Sequence, residues 1–304
     1  MTVRTRLVAL LAVLSISGAV AGCGDDEPSA QDPNDTPTKS SKPTKKPSAS
    51  SATPSASDTG SPETVTVPIY FVGDTPQGPR LFREFREVEA DNPMAEAVAL
   101  MTAGDADDPD YGTLYPEGSF ADVSFSEGAG AIVVQVKDDA WSDVPGDMSK
   151  RDARLAVQQL VYTVQGVQQD RLPVLVQKGS DPVPLFGIPT DGGLEAAPQN
   201  DVLALVNVTE PHENSEPGAT FFASGVANSF EATVPWEIRD ESGAKVLDGF
   251  ATAEGWGDHL YPWESEVDAS SLPPGTYTFV ASTDDPSGGE GGGPTEDTKT
   301  FVLH

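Results

Sequence analysis

Apolar and polar residues interleave in two different periods along the chain, and the changes of period mark its elements. Residues 65–72, VTVPIYFV, are β-branched and aromatic. After a turn-rich stretch at 73–79, residues 80–88, RLFREFREV, set charged against apolar side chains as a half-exposed strand does. These two segments are predicted to pair. Asn92-Pro93 then supplies an N-cap followed by Pro at the first helical position, and Met94, Ala97, Val98 and Met101 recur at helical spacing. Gly104 and the acidic run 105–110 end that helix. Residues 120–125 and 131–136 read as strands around an EGAG turn at 127–130. Ser149 with Asp152 three positions on is a capping pattern, and behind it Ala153, Val157, Leu160, Val161, Val164 and Val167 form one apolar stripe. This second helix ends near Gln169, and residues 172–177 return as a strand. The order strand, strand, helix, strand, strand, helix, strand predicts an α/β module over 64–201, a small mixed sheet covered by two helices.

From 202 to 304 the helical period disappears. Residues 202–208, 220–226, 230–239, 245–251, 260–267, 276–281 and 299–303 are seven candidate strands, separated by Gly, Pro, Asp and Ser. That many short strands in one segment predict an all-β sandwich, with Phe230 and Trp236 in its core.

The first 63 residues follow neither period. Arg4 and Arg6 precede an apolar stretch at 7–20, which ends in Ala21, Gly22 and Cys23. This is the composition of an export signal. A membrane-spanning anchor is the other reading, but the stretch is short of the roughly 20 apolar residues a bilayer asks for and is broken by Ser15, Ser17 and Gly18. The residues V-A-G-C at 20–23 resemble the lipobox of bacterial lipoproteins. The resemblance implies cleavage behind Gly22 and a diacylglycerol on Cys23, which holds the chain to a bilayer at about 0.8 kcal/mol per buried CH₂. Residues 1–22 are then a signal peptide, and 23–63 a lipidated Cys and a tether rich in Pro, Ser and Thr, too polar to repay the entropy of ordering.

Composition narrows the chemistry. The chain has 304 residues with 18 Lys+Arg against 48 Asp+Glu, a formal net charge of −30. Residues 64–201 and 202–304 carry −14 and −15, so both modules are acidic and nucleic acid is a poor partner for either. A single Cys excludes an intramolecular disulfide and a thiolate metal cluster.

Longer stretches carry two family resemblances. TVTVPIYFVGD, RLFREFREVE, NPMAEAVALM, the Tyr115-Pro116-Glu117-Gly118 turn and SKRDARLAVQQLVYTV together resemble the GerMN domain, over about residues 64–190. The resemblance implies a ring-building-motif-like α/β domain that mediates protein contacts in the envelope, with no catalytic residues to carry over. SGVANSFEATVPWEIRDESGAKVLDGFATAEG and LPPGTYTFVAS resemble the Gmad2 domain, an immunoglobulin-like module, through Gly225, Ala227, Phe230-Glu231-Ala232, Asp240, Gly243 and Gly255.

Sites for catalysis are sparse. His212 lies in a polar loop, His259 follows Asp258 and His304 is the last residue; no G-x-S-x-G elbow or H-E-x-x-H helix occurs, so no catalytic residue, cofactor or metal site is assigned. Asp105, Asp107, Asp108 and Asp110 offer oxygen ligands for Ca²⁺, but Pro109 and the missing Gly favour a solvated acidic loop. Residues 287–294 read as a glycine-rich hairpin loop and not a phosphate cradle. Trp256, Tyr261 and Trp263 form a candidate ligand surface, weighed against packing. The expectation is a non-enzymatic envelope lipoprotein, lipid-anchored at the outer face of a bacterial cell membrane, whose partners are the bilayer and an envelope protein or further copies of itself. A wall-polymer or glycan receptor is the alternative and an envelope enzyme the third reading.

Overall fold

The computed structural model describes residues 63–285, 288–290 and 292–304. The signal segment, Cys23 and the tether lie outside the described residues, as does part of the glycine-rich loop. Strands β1 (Thr64–Gly73) and β2 (Arg80–Glu89) pair antiparallel along their whole length. Their period-2 pattern buries Val67, Ile69 and Phe71 from β1 and Phe82 from β2. Helix α1 (Pro93–Ala103) carries Pro at its start and stops at Gly104, whose φ of 68° puts it in the left-handed region that closes helices. Strands β3 (Asp122–Ser126) and β4 (Ala131–Gln135) form a hairpin, and helix α2 (Lys150–Gln168) crosses over to β5 (Val174–Lys178), parallel to β4. A two-residue β6 (Asp181–Pro182) closes this sheet in the order β3-β4-β5-β6.

The first module therefore has two sheets where one was expected. The free edge of β1 finds no strand: Val72 exchanges both backbone hydrogen bonds with Gly112 alone, each 2.8 Å. Helices α1 and α2 join the sheets by packing instead, and one core runs through Phe71, Met101, Ile132, Leu160 and Leu185.

The second module begins with a helical turn, α3 (Gln199–Val202), where a strand was expected to start. Seven strands follow: β7 (Val206–Glu210), β8 (Thr220–Ala227), β9 (Thr233–Asp240), β10 (Lys245–Thr252), β11 (Tyr261–Asp268), β12 (Gly275–Ser282) and β13 (Glu296–Leu303). They form sheets β10-β9-β12-β13 and β11-β8-β7, which enclose Trp236, Phe279, Phe301, Trp263 and Val267. Gly225 is required by the approach of β7 to β8, since a Cβ there would stand 2.0 Å from the Asn207 carbonyl oxygen. Phe230 departs from expectation. It opens a 3₁₀ turn at Phe230–Ala232 ahead of β9 and is 40% exposed, so it caps the sandwich and does not fill it.

The modules are fused by a third apolar cluster of Leu81 on β2, Leu155 and Tyr162 on α2, and Leu203 and Leu260 from the second module. A backbone bridge pairs Leu81 with Leu203, and Ala204 N–H donates to the Leu81 carbonyl at 2.9 Å.

Candidate functional site

Beside that apolar seam lies a buried charged cluster built from both modules. Glu84, on the inward face of β2, accepts the backbone N–H groups of Asp107 at 3.0 Å and Asp108 at 2.8 Å, and so holds the acidic loop against the hairpin. The loop in turn presents Asp108 and Tyr111. From the second module, β13 alternates Asp297, Lys299, Phe301 and Leu303 toward the interior. Its apolar members enter the sandwich core, and its two charged members meet the loop.

Lys299 is 4% exposed. Its ammonium bonds Asp108 Oδ2, donates to the Tyr111 hydroxyl at 2.8 Å, and lies 3.5 Å from Asp297 Oδ1. It also sits 4.3 Å from the Tyr111 ring centroid, a cation–π contact. Tyr111 donates its hydroxyl to Asp297 Oδ1 at 2.6 Å, while Asp297 Oδ2 accepts Val208 N–H at 2.6 Å and Asn207 Nδ2 at 3.2 Å. Each ionised group thus has partners, as burial of charge requires. At the rim Thr298 donates to Asp110 at 3.1 Å, and Glu213 accepts the Thr300 N–H at 2.7 Å.

The electrostatics follow from burial. Burial raises the Asp297 carboxyl above its ordinary range despite the nearby Lys299, and raises Glu84 despite the two backbone donors. Burial opposes the charge on Lys299, but Asp297 and Asp108 outweigh it, so its pKa ends above that of a free lysine. The Tyr111 phenol is pushed well up by burial and by Asp297 and Asp108. At neutral pH Lys299 is a cation and Tyr111 a neutral donor. The cluster fits holding two modules together. One flank opens into a groove of about 530 Å³ lined by residues including Arg83, Arg86, His212 and Glu213.

The acidic loop is therefore more than the solvated loop expected of it. Arg86 lies 3.2 Å from Asp107, and Asp108 is buried on Lys299, so two of the four acids face cations of this chain. A separate group, exposed Glu89 and Asp91 with half-buried Glu96, brings carboxylate oxygens within 4.8 Å of one another; Glu96 there accepts the Glu89 N–H at 2.8 Å.

The aromatic surface is corrected in one member. Trp263 is 3% exposed and belongs to the sandwich core with Val267, because alternation along β11 turns both inward. Trp256 is 52% exposed and meets Phe230 edge-on at 5.4 Å, and half-buried Tyr261 stacks on His259 at 3.9 Å. His212 contacts Glu210 and His304 contacts Glu216, both on exposed ground. Cys23 lies outside the described residues. Sequence reasoning missed Glu84, Tyr111, Asp297 and Lys299. The usable signal was the phase of β13, where inward Phe301 and Leu303 oblige Lys299 and Asp297 to point the same way.

Comparison with known proteins agrees with this two-part architecture. Residues 68–177 match the family Germane, described as "Sporulation and spore germination". Residues 205–290 match the family Gmad2, described as "Immunoglobulin-like domain of bacterial spore germination". No curated protein matches the chain. Among solved structures, the tandem GerMN domains of the sporulation protein GerM from Bacillus subtilis are similar at TM-score 0.35 and 12% identity, over 68% of this chain and 62% of that one. The chain thus spans less than two thirds of that structure. CopC from Methylosinus trichosporium OB3b is similar at TM-score 0.22 and 17% identity, over 32% of this chain and 92% of that one.

Proposed function

We propose, from the premise that this chain joins a Germane domain to a Gmad2 domain, that it is a non-enzymatic lipoprotein of the bacterial envelope, anchored through Cys23 to the outer face of the membrane. Its two modules act there as one body that binds an envelope protein or further copies of itself. The observation that carries this reading is the buried cluster around Lys299, whose strongest ionisable groups are spent on one another across the module junction. A device that fixes the relative placement of two modules suits a protein whose task is to present surfaces. The lipobox-like residues at 20–23 support the anchor. Mass spectrometry of the native N-terminal peptide is expected to find Cys23 as the first residue, carrying a diacylglycerol; an unmodified Met1 overturns the anchor. Cross-linking in native membranes is expected to capture a reproducible protein partner or the chain itself, and capture of neither overturns the binding role.

The exposed pair Trp256 and Phe230 favours a second reading, a glycan or wall-polymer receptor. Binding to purified wall polysaccharide that is lost in Trp256→Ala supports it.

A further inference from the structure

The binding role leaves open which surfaces meet. One groove differs in charge from the acidic surface around it. It runs along α2 with a volume of about 580 Å³, floored by Leu155, Val157, Leu194 and Val202 and rimmed by Arg151 and Arg154. Both arginines are exposed. Arg151 donates to the Gln77 carbonyl at 2.9 Å, and no carboxylate of the described residues pairs with Arg154. Arg80, whose guanidinium donates to the Asn200 carbonyl at 3.0 Å, lies close enough to feel both Arg151 and the rim acid Asp201. In a chain of net charge −30, an apolar groove whose lining sets two arginines against one acid, Asp201, is a place for an acidic segment with an apolar tip.

The second module carries a surface of that kind. Phe222, on the outward face of β8, is 58% exposed. Register places Glu266 directly opposite it on β11, with Glu264 and Asp268 at the diagonal positions of the same face. All three acids are exposed, and among the described residues no cation pairs with them. The other strongly exposed Phe, Phe250 on β10, lacks such a ring: the nearby Asp248 is paired with Lys245 at 3.4 Å.

We infer that Phe222 of one copy inserts into the α2 groove of the next, with Glu264, Glu266 and Asp268 meeting Arg151 and Arg154. The occupant is a second copy because this chain holds both complementary halves on different modules. The contact rests on the self-association half of the proposed role and gives it a direction. Because the two surfaces differ, the contact is head-to-tail, and repetition yields a ring or an open row and not a two-fold dimer.

Sedimentation velocity of the full chain at rising concentration tests this. At low salt, species larger than a monomer are expected, receding at 500 mM salt because a Debye length of about 4 Å screens the rim charges. Phe222→Ser and Arg154→Glu, both exposed changes expected to melt as the wild type does, should each weaken association at least tenfold. Mixing the two variants should restore dimers and nothing larger, because each retains one good half. The charge-swapped Arg154→Glu/Glu266→Arg chain should regain association. A wild type that associates while both single variants associate equally well overturns this contact and leaves self-association standing. A wild type that stays monomeric overturns both this contact and self-association, and leaves binding to a different envelope protein to the cross-linking result.

Discussion

Lys299 is the cation that Asp108 and Asp297 share, and it sits where water does not reach. Lys299→Met leaves those carboxylates buried without it and is expected to destabilise the protein by about 3–5 kcal/mol in urea denaturation. The companion Lys299→Met/Asp108→Asn/Asp297→Asn removes the stranded charge as well and is expected to recover much of that loss. The pH dependence has a definite sign. Asp297 and Glu84 have folded pKa values raised above their unfolded ones, so their contribution is fully present below the ordinary carboxylate pKa and is lost as pH rises through the folded values. The melting temperature should therefore rise as pH falls from 7 toward 5, and Asp297→Asn should flatten the rise. Lys299, also raised, holds its contribution through neutrality and loses it only in the alkaline range. None of this was visible in the residues around position 108, because the partner that buries Asp108 lies on the far side of the chain in sequence.

Elements were legible where local signals agreed. For α2, the capping pair and the apolar stripe named the same helix, and Ser149 Oγ does accept the Asp152 N–H at 3.1 Å. Ser149→Ala is expected to cost about 0.5–2 kcal/mol and to speed amide exchange at Asp152. The hairpin β1–β2 was equally clear, since a β-branched and aromatic run is followed across a turn by one that sets charged against apolar residues. Two errors share a cause. The start of β7 and the exposure of Phe230 both depend on how chain entering one element is turned by another, and apolar content alone does not encode that turn. The split of the first module into two sheets was hidden for the same reason: strand-like pattern says that a segment pairs, and is silent on which edge it meets. At Trp263 the pattern was sufficient, because its phase with Val267 already marked it as core.

As a whole molecule the described residues carry two module cores joined by an apolar seam and a charged cluster, so unfolding should be one cooperative event. Calorimetry of the wild type is expected to give a single transition whose calorimetric and van't Hoff enthalpies agree. Lys299→Met should lower that transition without splitting it, because the apolar seam still joins the modules. The position of the cluster in the chain has a further effect. Glu84 and Asp108 belong to the first module, while Asp297 and Lys299 sit on β13, the last strand in chain order. A chain that emerges N-terminus first exposes the first module long before β13 arrives, and domains tend to fold as they emerge. Until then Glu84 still holds the acidic loop through its two backbone donors, but Asp108 lacks the cation that buries it. The arrival of β13, late in emergence, completes with charge a junction whose apolar half, Leu203 and Leu260, is already in the chain.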